Sequence, residues 1–331
     1  MTVHPAIPAT VSRRENAHSK VGTAVEATSA RGAAEQAGLT WHVQLAELQA
    51  LALSNEGVTT LPVGGKFATV RTNDDGSQSV LGTVGGRYQV FQNTEMFSAL
   101  DGLVDSGDAR YAYAGEINKG ASVYMVMELP EGVKVKGDPH KAYLLARTSH
   151  DGSSSLQIAP IVERIHCTNQ ISGIFRKNAT YSIKHTTNAK VQVEDIRKVI
   201  PIIYQGVEEY ESISRYLLGR EVDDDQVNEI FKKMWSLPSE VEDKPYSMLS
   251  TGQRRQYNKA EHARHTARRI YGGATGTQEN IQGTEFAAYQ AIVEYIDHYS
   301  HKDAAIRAER TVNGTFDKQK RRALSLLTKR I

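Results

Sequence analysis

A chain of 331 residues, 40% hydrophobic and 24% charged, is long enough for two ordinary domains and has the composition of a folded protein, which excludes wholesale disorder. No run reaches the roughly 18 apolar residues that a membrane-spanning helix needs, and the N-terminus lacks the apolar stretch of a secretory leader, so the cytoplasm is the expected compartment. Cys167 is the only cysteine, which excludes an intramolecular disulfide and an all-cysteine metal site, and the formal charge of +2 is too small to signal nucleic acid by its total.

Residues 1–35 are rich in Ala, Thr, Ser and charged groups without an apolar period and read as a flexible arm. Residues 36–190 read as an α+β core. It opens with an apolar patch of Leu39, Trp41, Val43, Leu45 and Leu48, then a hairpin in which Lys66–Thr72 and Ser79–Val84 flank the turn signal Asn-Asp-Asp-Gly. After Gly85 and Gly86, Arg87–Phe91 alternates between two faces. Asn93 predicts the N-cap of a helix carrying Phe97, Leu100 and Val104. A meander is expected from Arg110–Ile117 and Ala121–Leu129, joined by Asn118-Lys119-Gly120, and Lys141–Thr148 and Leu156–His166 extend it across a polar turn at 150–155. The sum is a predominantly antiparallel, twisted sheet with packed helices. Thr168 or Asn169 then caps a short helix through Arg176, and Tyr181–His185 is a further extended piece.

Residues 191–331 read as an all-helical region. Ile196, Ile200, Ile203, Val207, Tyr210, Ser214 and Leu217 fall on one helical stripe, with Pro201 kinking or restarting it. Further helices are expected near 224–236, 252–271, 284–300 and 315–329. Charge is uneven here: Glu221–Lys244 holds eight acidic and three basic residues, whereas Gly252–Arg269 holds six basic and one acidic. The basic stretch either follows a phosphate backbone or pairs with its acidic neighbour, and pairing is the favoured of the two.

Several ordered blocks carry a family resemblance. They are Val84-Gly85-Gly86-Arg87-Tyr88 with Gln92-Asn93, Ser149-His150-Asp151-Gly152-Ser153, Ile165-His166-Cys167-Thr168-Asn169-Gln170 with His185-Thr186, and Gly283–Ala291 leading into Glu294-Tyr295-Ile296-Asp297-His298. The chain resembles phage/plasmid-like proteins of unknown function from actinobacterial phages, plasmids and chromosomes. It departs from that pattern at Glu285-Phe286 and Gln290. The resemblance implies no activity. The order of elements is also similar to the core of ring-forming single-strand annealing proteins of phage recombination, a likeness of architecture only.

The segment 164–190 mixes cations with aromatic rings, a pairing that suits single strands because cations neutralise phosphates while rings stack on bases. On this reading Arg147, Arg164, Arg176, Lys177 and Lys184 grip the backbone and Phe175, Tyr181 and His185 stack. Arg254, Arg255, Arg268 and Arg269 of the basic helix add phosphate or subunit contacts. The bland alternative is a solvated sheet edge followed by an amphipathic helix. A nucleophile would have to start from Cys167 with His166 or His185, but neighbouring strand residues face opposite ways. A metal site from His150, Asp151, His166 and His185 has no motif spacing. Neither GxxxxGK[ST] nor a strand-linked GxGxxG occurs, so no cofactor is expected. The expected protein is a single-stranded-DNA-binding homo-oligomer without enzymatic activity, which anneals strands in recombination. The rival is a protein-interaction module that regulates a host system.

Overall fold

The computed structural model describes residues 16–55, 57–130, 133–135, 137–172, 181–183 and 199–328. Their order begins with α1 (Ala17–Val21), β1 (Gly22–Ala24) and α2 (Ala30–Gln36), followed by β2 (His42–Ser54), β3 (Gly57–Thr72) and β4 (Gln78–Gly85). Next come α3 (Asn93–Phe97), α4 (Asp101–Asp105), β5 (Arg110–Ile117), β6 (Ser122–Glu128), β7 (Val133–Val135), β8 (Asp138–Ser149), β9 (Leu156–Arg164), β10 (Asn169–Ser172) and β11 (Tyr181–Ile183). The helices α5 (Val199–Leu218), α6 (Asp224–Met234), α7 (Ser239–Glu242), α8 (Thr251–Tyr271), α9 (Glu285–Glu294), α10 (Ala304–Val312) and α11 (Asp317–Thr328) complete it.

The class is α+β, and the named strands pair antiparallel throughout. The main sheet runs β1-β5-β6-β8-β9-β10, with β7 on β8 and β11 on β9, while β2-β3-β4 form a second sheet. Lys66 opposes Gly85 and Thr72 opposes Gln78, as the Asn-Asp-Asp-Gly turn requires. The meander forms too, because Asn118, Lys119 and Gly120 take φ of 53°, 57° and 91° and reverse the chain.

Four readings change. Residues 16–35, compositionally part of the expected arm, are instead built into the fold: Ser29 caps α2, and Ala30, Ala33 and Ala34 are small enough to bury completely. Residues 1–15 lie outside the described residues. Arg87–Phe91 forms no strand, since Tyr88 N–H closes a turn on the Gly85 carbonyl and its hydroxyl donates to Ser149 O at 3.0 Å. Gln92, not Asn93, caps α3, and the Asn93 amide reaches instead to Leu39 O at 2.9 Å. Thr168 at φ 53° turns the chain, so Asn169–Ser172 pairs back on β9 where a helix was expected; residues 173–176 lie outside the described residues.

The apolar patch at 39–48 is the root of a longer feature. β2 and β3 pair from His42↔Thr72 out to Ser54↔Gly57, but β4 supports only the Lys66–Thr72 part of β3. The outer half is a two-stranded ribbon on which Leu51 (72% exposed), Leu53 (85%) and Val58 (63%) meet solvent.

The helical stripe is buried at Ile203, Val207, Tyr210, Ser214 and Leu217. Pro201 is the third residue of α5 as described, and Ile196, also assigned to the stripe, lies outside the described residues. One apolar core joins Met125, Leu144 and Ile158 of the sheet to Ile203, Phe231, Phe286 and Leu324 of the helices. The opposite sheet face, with Tyr124, Val126, Tyr143 and Leu145, packs against Ala17 and Val21 of α1 and Val312 of α10.

Candidate nucleic-acid interface

The cations expected at the end of the sheet are drawn inward. Arg164, the last residue of β9, is fully buried: Nε donates to Asp138 Oδ2 at 2.6 Å, Nη2 to Asn280 Oδ1 at 2.9 Å, and Nη1 to the Thr277 carbonyl. A buried guanidinium needs that many partners, because an unpaired charge out of water costs several kcal/mol, on the order of 3–5. Arg147 on β8 donates to Gln157 Oε1 at 3.0 Å and to Val312 O at 2.9 Å, tying the sheet to the end of α10. Burial lowers its pKa, against the pull of Asp317. Tyr181 packs part-buried against the core from β11. Arg147 and Arg164 therefore serve as struts between sheet and helices. Phe175, Arg176, Lys177, Lys184 and His185 lie outside the described residues.

Beside Arg164 a chain of buried polar groups crosses between the halves. Asp138 O accepts from His140 Nδ1 at 2.9 Å, Tyr210 Oη donates to His140 Nε2 at 2.9 Å, and Gln290 Nε2 donates to Tyr210 Oη at 3.2 Å. Asn169 Nδ2 donates to Gln290 Oε1 at 3.1 Å. Burial lowers the pKa of His140 to about 4, so the ring is neutral and both nitrogens are used. A second strut runs from Lys320 of α11 to Asp297 Oδ1 at 2.6 Å, while Asp297 Oδ2 accepts from Gln170 N at 3.0 Å. The resemblance blocks at 165–170 and 283–298 supply much of this seam, which makes their residues architectural.

Cys167 is buried with its thiol pushed up to about 12 by that burial, and Arg164 beside it pulls the other way without prevailing. It is therefore no thiolate nucleophile at neutral pH. His150 is buried with Nε2 on Asn93 Oδ1 at 2.8 Å, while His166 is exposed and 3.9 Å from Asp138. No group of three or more metal-ligating side chains occurs among the described residues.

The basic helix divides by face. Ser250 caps α8, and Ala260, Ala263, Ala267 and Ile270 form the buried stripe. On its flank the acidic segment pairs with it: Arg264 lies 3.1 Å from Glu242, and Arg268 lies 2.8 Å from Asp224. Arg254 donates to Ser247 O at 2.7 Å with its guanidinium over the Tyr246 ring. The outer face is different. Arg255, Lys259, His262 and Arg269 recur at helical spacing, are exposed, and make no ion pair with any described residue.

Lys259 also lines a cavity of about 430 Å³ among α6, α8, α10 and α11. Among the described residues, its walls carry three cations, Lys259, Arg310 and Arg322, and three rings, Trp235, Tyr295 and Phe316, with no acidic side chain. Trp235 stands edge-on to Tyr295 at 5.2 Å, and Tyr295 in turn meets His262 at 6.3 Å. Arg322 donates to Lys233 O at 3.0 Å and Ser236 Oγ at 3.1 Å, which anchors its guanidinium at the rim. Sequence reading missed Trp235, Tyr295, Arg310 and Phe316 as site residues, because they come from separate stretches of the chain with no motif between them. The one available signal was Trp235, one of only two tryptophans in the chain.

These features define an α+β protein whose antiparallel sheet is welded to a helical region that carries an open basic face and an aromatic cavity. Residues 80–327 match the model of a domain of unknown function, DUF932, and the chain belongs to that family. Comparison with curated proteins and with solved structures gives no match. No helix among the described residues is long and apolar enough to cross a membrane.

Proposed function

We propose that this chain binds single-stranded nucleic acid, through the outer face of α8 in place of the end of the sheet. One observation carries the reading: Arg255, Lys259 and Arg269, with His262 between them, form an exposed basic stripe, without ion pairs to described residues, that opens into a cavity with aromatic walls and no carboxylate among its described lining residues. Phosphates are neutralised along such a stripe while rings accept bases, and neither contact needs a defined sequence. Strand annealing in recombination, and the phage or plasmid origin implied by the resemblance, belong to the same proposal. Annealing calls for a homo-oligomer, and the apolar ribbon of Leu51, Leu53 and Val58 supports self-association, since a bare two-stranded edge readily pairs with another chain.

The test is oligonucleotide binding across ionic strength, with mass measured in solution. Affinity should fall as salt rises, and Arg255→Ala with Arg269→Ala should flatten the slope by about two counterions. Lys177→Ala and Lys184→Ala test the sheet-end segment in parallel. The same ribbon favours the rival reading, a module that binds another protein of a host system. Absence of oligonucleotide binding at low salt, with a monomeric mass, selects that rival.

A further inference from the structure

We propose that the cavity among α6, α8, α10 and α11 is a nucleotide site that takes one aromatic base together with its phosphate. The ligand is a free nucleoside monophosphate or the phosphorylated end of a strand. This deepens the nucleic-acid reading and rests on it for the choice of a nucleotide among phosphorylated aromatic ligands.

The walls define the chemistry. A volume of about 430 Å³ lies within the few-hundred-Å³ range of small-molecule sites. Trp235, half-buried, offers an aromatic face, with the buried rings of Tyr295 (6% exposed) and Phe316 (3%) behind it, a surface that a bare anion would leave unused. Lys259, Arg310 and Arg322 offer positive charge with no carboxylate among the described lining residues to neutralise it, which an uncharged apolar ligand would leave unpaired. A ligand that satisfies both must join a planar ring to an anion. Arg322 spends Nη2 on Lys233 O and Ser236 Oγ, and a guanidinium has five N–H donors, so it keeps others for a phosphate. Gln256, Gln319 and Ser236, which also line the cavity, carry donors and acceptors suited to the edge of a base. Lys259 belongs both to this lining and to the exposed stripe, so a strand lying along α8 would deliver its end here.

Trp235 reports occupancy directly, since the only other tryptophan, Trp41, is buried against His150 and Arg71. Titration of the full chain with dAMP at low salt should quench its fluorescence saturably, with deoxyadenosine and inorganic phosphate each binding at least about tenfold more weakly. Lys259→Ala, on the exposed surface of α8, and Arg310→Ala should each weaken dAMP by about tenfold with unchanged circular dichroism. Arg255→Ala and Arg269→Ala should leave dAMP binding intact while weakening oligonucleotides. Preference for a 5′-phosphorylated over a 5′-hydroxyl oligonucleotide assigns the site to strand ends, and indifference with dAMP bound assigns it to free nucleotide. No saturable quench, deoxyadenosine binding as well as dAMP, or folded Lys259→Ala and Arg310→Ala proteins that bind dAMP like the parent would each overturn the proposal. If dAMP binds and no oligonucleotide does, the nucleotide site stands and the single-strand reading falls. If oligonucleotides bind and dAMP does not, the reverse holds.

Discussion

Arg164 Nε lies 2.6 Å from Asp138 Oδ2 with neither side chain exposed to solvent. The pair joins the end of β9 to the start of β8, and through Thr277 O and Asn280 it also holds the loop that precedes α9. A basic residue at a strand end is thereby turned from a surface cation into a keystone.

Removing one partner should therefore cost far more than a surface ion pair. Asp138→Asn or Arg164→Ala is expected to destabilise the protein by about 3–5 kcal/mol, because the remaining charge stays buried. Arg268→Ala, whose partner Asp224 is 79% exposed, should cost less than about 1 kcal/mol. Urea midpoints of the three variants check the ordering, and equal losses would refute it.

Acid should weaken the fold before its carboxylates protonate. Burial, with a smaller contribution from Lys320, lowers His18 to about 3, and burial lowers His140 to about 4. Both rings stay neutral in the folded state while the unfolded chain takes up protons below about pH 6.5, so stability rises with pH across the window from about 4 to 6.5. Between pH 7.5 and 5.5 each histidine should contribute a loss of about 1.4 kcal/mol. The two His18 ring nitrogens have no hydrogen-bond partner among the described residues, so His18→Phe should remove about half of that pH dependence. Unfolding curves of the variant at both pH values decide it.

Glycine tolerance should differ sharply between two positions in the second sheet. A Cβ on Gly82 would come within 2.4 Å of Asp151 Cβ and 2.6 Å of its Cα, so Gly82→Ala must push β4 off the 150–155 turn. Gly64 has nothing within 4 Å of the equivalent position. Gly82→Ala is expected to lose about 1–3 kcal/mol and Gly64→Ala to stay within about 1 kcal/mol of the parent. Thermal melts of the two proteins side by side provide the measurement.

The Cys167 thiol should be silent in the folded protein. Buried and raised to about 12, it should react with a thiol reagent at pH 8 only after denaturant opens the fold. Stoichiometric labelling of native protein within minutes would contradict its burial.

What could be read in advance follows from how local the cause is. The Lys66–Val84 hairpin and the 110–129 meander announce themselves because turn residues and alternation lie within a few positions of one another. The stripe from Ile203 to Leu217 is equally local, and the pairing of Arg264 with Glu242 and Arg268 with Asp224 followed from neighbouring blocks of opposite charge. Arg164 could not be read correctly, since its partners Asp138, Thr277 and Asn280 are distant in sequence and nothing nearby marks it for burial. The small residues of α2 hid it within a compositionally bland arm. The cavity was the least legible feature, because Trp235, Tyr295, Arg310 and Arg322 become neighbours only once the helices have packed.

The shared interior of strands and helices also governs how the molecule can be dissected. With Met125 and Leu144 resting against the same apolar mass as Ile203 and Phe286, severing the chain between them would bare an oily surface on each fragment. Fragments would clump before they could reveal which half does what, and the slowest-exchanging amides of β6 and α9 should open together. Point substitutions on an intact polypeptide are the tool this architecture permits.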